Sequence, residues 1–334
     1  MRVLMLGGTV FLGRHVVETL LARGHDVTIF HRGQRGRELF PDVERVLGDR
    51  ATDIGRLPPG GTWDAVVDTS GYLPGVVAAG AGALQDRAGQ YVFVSSVSVY
   101  DISQPWIDES SPLLELPEGA SADAFVMEHY GALKRLCEEA VLAAFGPDRT
   151  LIVRPGLIVG PYDKTDRFTY WPLRFARGGD IAVPDDFDAP VQWIDVRDLA
   201  ELIVGAIERR TAGVVNGVGP AEPATLRDLL GACAAASDTP SRMVAVDLAT
   251  LKEHGVEGWT DLPVWVPSGQ GDDGISRVDP THAMALGMRY RPLATTVTDT
   301  LRWAQTERGD EPFKAGLTPE REAELLALVS RAAS

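Results

Sequence analysis

The feature that most constrains this fold is a short aliphatic run, Arg2–Leu6, that breaks directly into Gly7-Gly8 and then into an amphipathic stretch over residues 12–23 ending at Gly24. A fully apolar strand that turns on glycines into a helix belongs in a parallel sheet covered on both faces. The pattern then repeats. Residues 27–30, 45–47, 65–68, 91–95 and 151–153 read as buried strands, and residues 74–87 and 124–145 read as helices between them. Alternation of this kind predicts an α/β chain with a doubly wound parallel sheet.

The second half is less regular. Residues 165–188 mix aromatics, Gly and Asp and read as an insertion that leaves the sheet, whereas 196–209 reads as a helix and 214–216 as a strand. Helices are expected over 224–236, 283–287 and 297–305, with a charged amphipathic helix over 319–332 that docks as a terminus. Residues 259–273 show no period and read equally as a substrate lid or a long surface loop. These breaks divide the chain into a dinucleotide-binding domain of residues 1–160, rejoined by 191–218. A substrate domain of 161–190 and 219–310 follows, with 311–334 as the C-terminal helix.

Composition narrows the partners. With 334 residues, 45% hydrophobic and 24% charged, the chain has enough apolar material for a buried core. Its formal net charge of −15 repels nucleic acid and anionic lipid, so a small-molecule substrate is expected instead. Cys137 and Cys233 are too far apart in sequence for metal-ligand spacing, and neither a metal nor a disulfide framework is expected. Gly7-Gly8 interrupts the first apolar run too early for a signal-peptide core, and no run reaches membrane-spanning length, so a soluble cytoplasmic protein is expected.

Three motifs carry chemistry. The turn Gly7-Gly8-Thr9-Val10-Phe11-Leu12-Gly13 leaves backbone N–H groups at a helix N-terminus, where a pyrophosphate can sit. Val10 stands where glycine usually lets backbone approach phosphate. After the second strand comes Arg32, with Arg14, Arg35 and Arg37 available, and no acid; this favours NADP over NAD. Asp49 follows the third strand, where a carboxylate can accept from an adenine amino group. Tyr130 and Lys134 stand at i, i+4 and share a helix face. A phenol with a free pKa near ~10 needs a neighbouring ammonium to move protons at neutral pH. The serines of Ser95-Ser96-Val97-Ser98-Val99-Tyr100 end the fifth strand, where ligands of open α/β sheets bind.

Together these motifs, with Gly48-Asp49, Arg154-Pro155-Gly156 and Trp193-Ile194-Asp195-Val196-Arg197-Asp198-Leu199-Ala200, resemble the extended short-chain dehydrogenase/reductases, the group that includes NAD-dependent epimerases and dehydratases. The resemblance implies a Rossmann doubly wound sheet with a smaller, discontinuous C-terminal substrate domain. It implies Tyr130 as acid/base, Ser96 polarising the reacting C–O, and Lys134 on the nicotinamide ribose. Thr69, Ser70 and Gly71 would wrap the cofactor, and Pro155 and Gly156 would line the nicotinamide.

Departures matter as well. Val97-Ser98 stand where the dehydratases carry Asp-Glu, and Val191 and Leu157 replace an arginine and an asparagine that grip a nucleotide. Arg167 or Arg174 could compensate, and Ser98 is a candidate for the substrate cleft, while Tyr162, Trp171 and Trp193 read equally as cleft or as core packing. The expected activity is NAD(P)-dependent hydride transfer on a carbonyl or hydroxyl of a small or sugar-like substrate. A nucleotide-sugar epimerase with retained cofactor and a non-catalytic dinucleotide-sensing or RNA-associated protein stand as alternatives. Relatives also imply a homodimer through the tyrosine helix. His15, His31 and His129 read as structural.

Overall fold

In a computed structural model of the chain, whose described residues are 1–269, 271 and 273–332, the first strand lies at the centre of a seven-stranded sheet. The strands are β1 (Arg2–Leu6), β2 (Asp26–His31), β3 (Glu44–Leu47), β4 (Trp63–Asp68), β5 (Ala88–Val94), β6 (Thr150–Pro155) and Gly213–Gly217. Their spatial order is β3-β2-β1-β4-β5-β6-(Gly213–Gly217), and every pairing is parallel. The winding reverses between β1 and β4. Register there sets Leu6 opposite both Phe30 and Asp68, so the carboxyl ends of three strands meet at one crevice.

The period of two in each strand sorts the core into two faces. Val3, Met5, Val27 and Val67 pack against α1 (Phe11–Ala22) and the helix Val196–Glu208. Leu4, Leu6, Phe30 and Val66 pack against α2 (Pro74–Leu84) and α3 (Tyr130–Phe145). The expected α/β doubly wound sheet is therefore the observed one.

A second apolar core lies outside the sheet, built on Phe168, Trp171, Phe175, Leu226, Leu230 and Trp265. Residues 165–188 do leave the sheet, as the helix Tyr170–Arg177 followed by the strand Gly179–Pro184. That strand pairs in parallel with Ser241–Val246, a pairing the sequence pattern does not announce. Within the 259–273 stretch, Leu262, Val264 and Trp265 are buried and the Trp265 indole donates to Asp186, so this part packs into the second core, while Ser268, Gly269 and Gly271 lie at the surface. Its Gln270 and Asp272 lie outside the described residues, as do residues 333–334 of the expected terminal helix. The helix Pro319–Ala332 docks on this core through Leu325 and Glu322.

One boundary needs correction because it moves the site. The helix expected from 124 begins at Tyr130, preceded by a single 3₁₀ turn, Met127–His129, and by extended Val126. Gly131 explains the late start. A Cβ there would collide with the Ser98 carbonyl, so the helix lies directly on the loop that follows β5. Tyr130 thus occupies the first turn of α3 rather than its middle.

Candidate active site

The crevice at the reversal opens into a cavity of about 860 Å³. Gly7 and Gly8 take φ of +111° and +91°, which only glycine adopts without strain. A Cβ on Gly13 would lie 2.8 Å from the Gly8 nitrogen, so α1 packs flush on the turn. Val10 is the N-cap and offers no side-chain cap, which leaves the first N–H groups of α1 to the cavity. Its own side chain is exposed. Thr69 and Ser70 tie the end of β4 to β1, each hydroxyl donating to the Leu6 carbonyl at 3.2 Å.

Nearly all of the residues singled out in the sequence for a cofactor line this cavity: Gly7 to Gly13, Arg32, Asp49, Thr69, Ser70, Pro155 and Gly156. Gly71 lies just behind the wall, and its carbonyl accepts from Lys134 at 2.8 Å. Arg35 also lines the cavity. Arg14 does not; it stacks on the Tyr162 ring at 3.6 Å and bonds Glu18. Asp49 turns one carboxylate oxygen back to the Ala51 N–H, closing its own turn.

Ser96, Tyr130 and Lys134 line the same cavity. The Ser96 hydroxyl donates to Ser98 Oγ at 3.0 Å and also bonds the Tyr130 phenol. Ser98 therefore sits behind Ser96 rather than in the cavity wall. Lys134 is 3% exposed and donates to the Gly71 and Val94 carbonyls at 2.8 and 2.7 Å. An ammonium has three N–H bonds, so one remains for the cavity.

Burial lowers the Lys134 value to about 8, against opposing pulls from Asp68, Cys137 and Glu138. Burial also pushes the Tyr130 phenol above its ordinary value, with Tyr72 and Cys137 adding and the Ser96 hydrogen bond pulling it down.

Several wall residues were not found in the sequence. Arg50 chelates buried Asp68 at 2.6 and 2.7 Å, and Tyr91 donates to the same carboxylate at 2.8 Å. Burial opposes ionisation of Asp68, yet Arg50 holds it below the usual carboxylate range. Tyr72 lies beside Lys134, with Nζ 5.4 Å from its ring. His31 ends β2; its Nδ1 accepts from the Gly33 N–H at 3.3 Å, and its buried Nε2 has no partner among the described residues. Asp163, Lys164 and Thr165 line the cavity from the loop after β6. Burial pushes the Asp163 carboxyl up to about 6. Adjacency to the motifs could have found Arg50 and Tyr72, one residue beyond Asp49 and Gly71; nothing local marks Asp163.

Other candidates fall elsewhere. Tyr162 packs against Arg14, His15 and Trp303, away from the cavity. Arg174 is locked to Glu322 and two carbonyls inside the second core, so it compensates for no missing grip. Arg167 lies over the Trp259 ring, and Trp193 is buried in the second core, with its N–H on the Gly219 carbonyl. Trp171 is fully buried there too. Among the described residues no cluster of His, Cys, Asp or Glu could hold a metal, and no helix is long and apolar enough to cross a membrane.

Comparison with known proteins places this geometry. Residues 73–218, which include Ser96, Tyr130 and Lys134, match the NAD dependent epimerase/dehydratase family. The chain is 27% identical over 317 residues to the epimerase family protein SDR39U1 of Bos taurus, covering 87% of this chain and 95% of that one. It is 26% identical over 282 residues to the 2-alkyl-3-oxoalkanoate reductase of Stenotrophomonas maltophilia, covering 76% and 81%. Its fold matches the Bordetella bronchiseptica enzyme WbmH, solved in complex with NAD+, with a TM-score of 0.67 at 18% identity, over 92% of this chain and 99% of that one. By its parallel sheet, its matched segment and its relatives, the chain is similar to the NAD-dependent epimerase/dehydratase family of extended short-chain dehydrogenase/reductases.

Proposed function

We propose that the protein is an NAD(P)-dependent oxidoreductase acting on a carbonyl or alcohol. The observation that carries this reading is one cavity walled both by the glycine turn and by Ser96, Tyr130 and Lys134. The turn suits a dinucleotide: its glycines are needed for backbone shape, α1 lacks a side-chain cap, and the His31 Nε2 donor awaits an acceptor. Gly7 to Gly13 would hold the pyrophosphate, Thr69 and Ser70 the strand end beside it, and Pro155 and Gly156 the nicotinamide side. The solved relative with NAD+ supports the cofactor class. Arg32 and Arg35 favour a 2′-phosphate, hence NADP.

A bound nicotinamide supplies a hydride to the carbonyl carbon or takes one from the alcohol. In reduction, Tyr130 gives the phenolic proton to the substrate oxygen as the alcohol forms. Ser96, its hydroxyl turned from Ser98, donates a hydrogen bond to the same oxygen and stabilises the negative charge that develops there. Lys134 is held by two carbonyls, with its third N–H free for the cofactor ribose. Val94, Pro155 and Ile158 give that part of the wall an apolar lining.

An epimerase would use the same three residues to oxidise and re-reduce one carbon, and the family match favours keeping that reading in view. Absorbance of the purified protein in the reduced-nicotinamide band separates the two, since retained cofactor marks the epimerase. For both, Tyr130→Phe should lower turnover by about 10²- to 10⁴-fold while cofactor affinity changes little. Unchanged turnover would remove Tyr130 from the reaction.

A further inference from the structure

The mouth of the site is apolar beside the proton donor. Met127 is 73% exposed, Tyr72 50%, Phe125 44% and Leu114 38%. These side chains are not scattered. Phe125 meets the Tyr72 ring edge-on at 5.8 Å and the Tyr130 ring at 6.4 Å, and Leu114 lies against Gly131, the next residue of α3. Extended Val126 and the 3₁₀ turn Met127–His129 hold Phe125 and Met127 out to solvent, where leaving apolar area uncovered is costly.

Positive charge is missing from the same place. Lys134 is engaged by carbonyls, Arg135 by Glu139 and the Leu114 carbonyl, and Arg50 by Asp68. Arg32 and Arg35 stand beyond β2, and Lys164 on the loop after β6. In the second lobe Val191 is buried in a strand pairing with Ala224, and Leu157 packs on that lobe's core. Among the described residues, an anionic arm such as a diphosphate laid over Tyr72, Leu114, Phe125 and Met127 would meet four uncharged side chains, in a chain already at −15.

We infer that the substrate's carbonyl or alcohol carries an aliphatic or aromatic arm that lies over Tyr72, Leu114, Phe125 and Met127, in place of a nucleotide diphosphate. The inference rests on the oxidoreductase reading, because the arm must be continuous with the carbon held at Ser96 and Tyr130. Methionine adapts to arms of different shape, and the aromatic edges set a wall against which methylene groups pack.

The test uses the full chain loaded with reduced nicotinamide dinucleotide and a series of 2-alkanones from four to ten carbons. Binding is read from the fluorescence of the bound cofactor, so no turnover is required. The dissociation constant should fall about fourfold for each added methylene over the first several, the fold-change that burial of one methylene produces. In Phe125→Ser with Met127→Ser the gain per methylene should drop below about twofold.

A constant affinity across the series, no binding of any ketone, or tighter binding of UDP-glucose than of the longest ketone would overturn the inference and leave the oxidoreductase reading standing. A flat series in a protein that sediments as a dimer burying Met127 overturns it in favour of a second copy. If the cofactor itself does not bind, the oxidoreductase reading fails and the inference falls with it.

Discussion

In the second lobe Arg174 and Glu322 meet at 2.6 Å with each side chain 7% exposed, and Arg308 holds buried Asp166 at 2.8 Å. At the cavity, Lys134 and Asp163 are equally buried yet face no opposite charge within ion-pair distance among the described residues. Lys134 has only carbonyls and Asp163 only Thr165. Burial therefore moves both toward neutrality, Lys134 down to about 8 and Asp163 up to about 6. Paired charges in the second lobe tie the C-terminal segment to the core. Unpaired ones at the cavity leave ionisation responsive to whatever binds, the pattern of sites that do chemistry.

Breaking a pair should therefore cost stability without touching the cavity. Arg174→Ala strands the Glu322 carboxylate in an apolar core, and chemical denaturation should show a loss of about 3–5 kcal/mol. Cofactor affinity, measured by fluorescence titration, should be unchanged. A large change in affinity would mean that the Arg174–Glu322 pair is coupled to the cavity.

The converse variant acts on the cavity alone. Gly13→Val places a branched side chain against the Gly8 backbone, 2.8 Å from its nitrogen at the first carbon. The turn must open, and cofactor affinity should fall at least about a hundredfold, near 2.7 kcal/mol. Wild-type affinity in this variant would show that the turn is not the pyrophosphate seat.

What was legible in the sequence follows the range of the interactions. Gly7 to Gly13 and the Tyr130–Lys134 spacing are local, and each declares its geometry within one turn of chain. The doubly wound parallel sheet was readable because continuous apolar strands fit a sheet covered on both faces. Arg50 follows Asp49 and His31 precedes Arg32, so adjacency marks both, whereas Asp163 reaches the cavity on a loop packed by Arg308, which no local pattern encodes. Tyr162 read equally as cleft or core, and Arg174 could reach a ligand from the inserted segment, because composition alone does not say where an aromatic or a cation points. Both are spent on packing and pairing within the structure. The start of α3 was misplaced because Ala124 to Met127 are apolar enough to extend a helix, while the contact that stops it, Gly131 on the Ser98 carbonyl, is thirty-odd residues away in sequence.

The smallest expected effect separates the two kinds of buried charge by pH. An unfolded lysine keeps its proton to about pH 10.4, whereas folded Lys134 gives it up near 8. Between those values the unfolded chain binds more protons, so the Lys134 contribution to the unfolding free energy rises with pH. Below pH 8 both states are protonated and the cost of burying the ammonium is constant. The buried thiols Cys137 and Cys233 and the phenols Tyr91 and Tyr130 titrate in the opposite sense, since folding holds their protons. The measurement is therefore the difference between wild type and Lys134→Met, by denaturant unfolding from pH 7 to 9.5. That difference should move by about 1 kcal/mol in favour of wild type from pH 8 to 9.5. Arg174→Ala, measured against wild type over the same range, should show no such slope, because a guanidinium is not a titrating group at these pH values. A flat difference for Lys134→Met would mean that the ammonium has a compensating charge and that the cavity handles buried charge as the second lobe does.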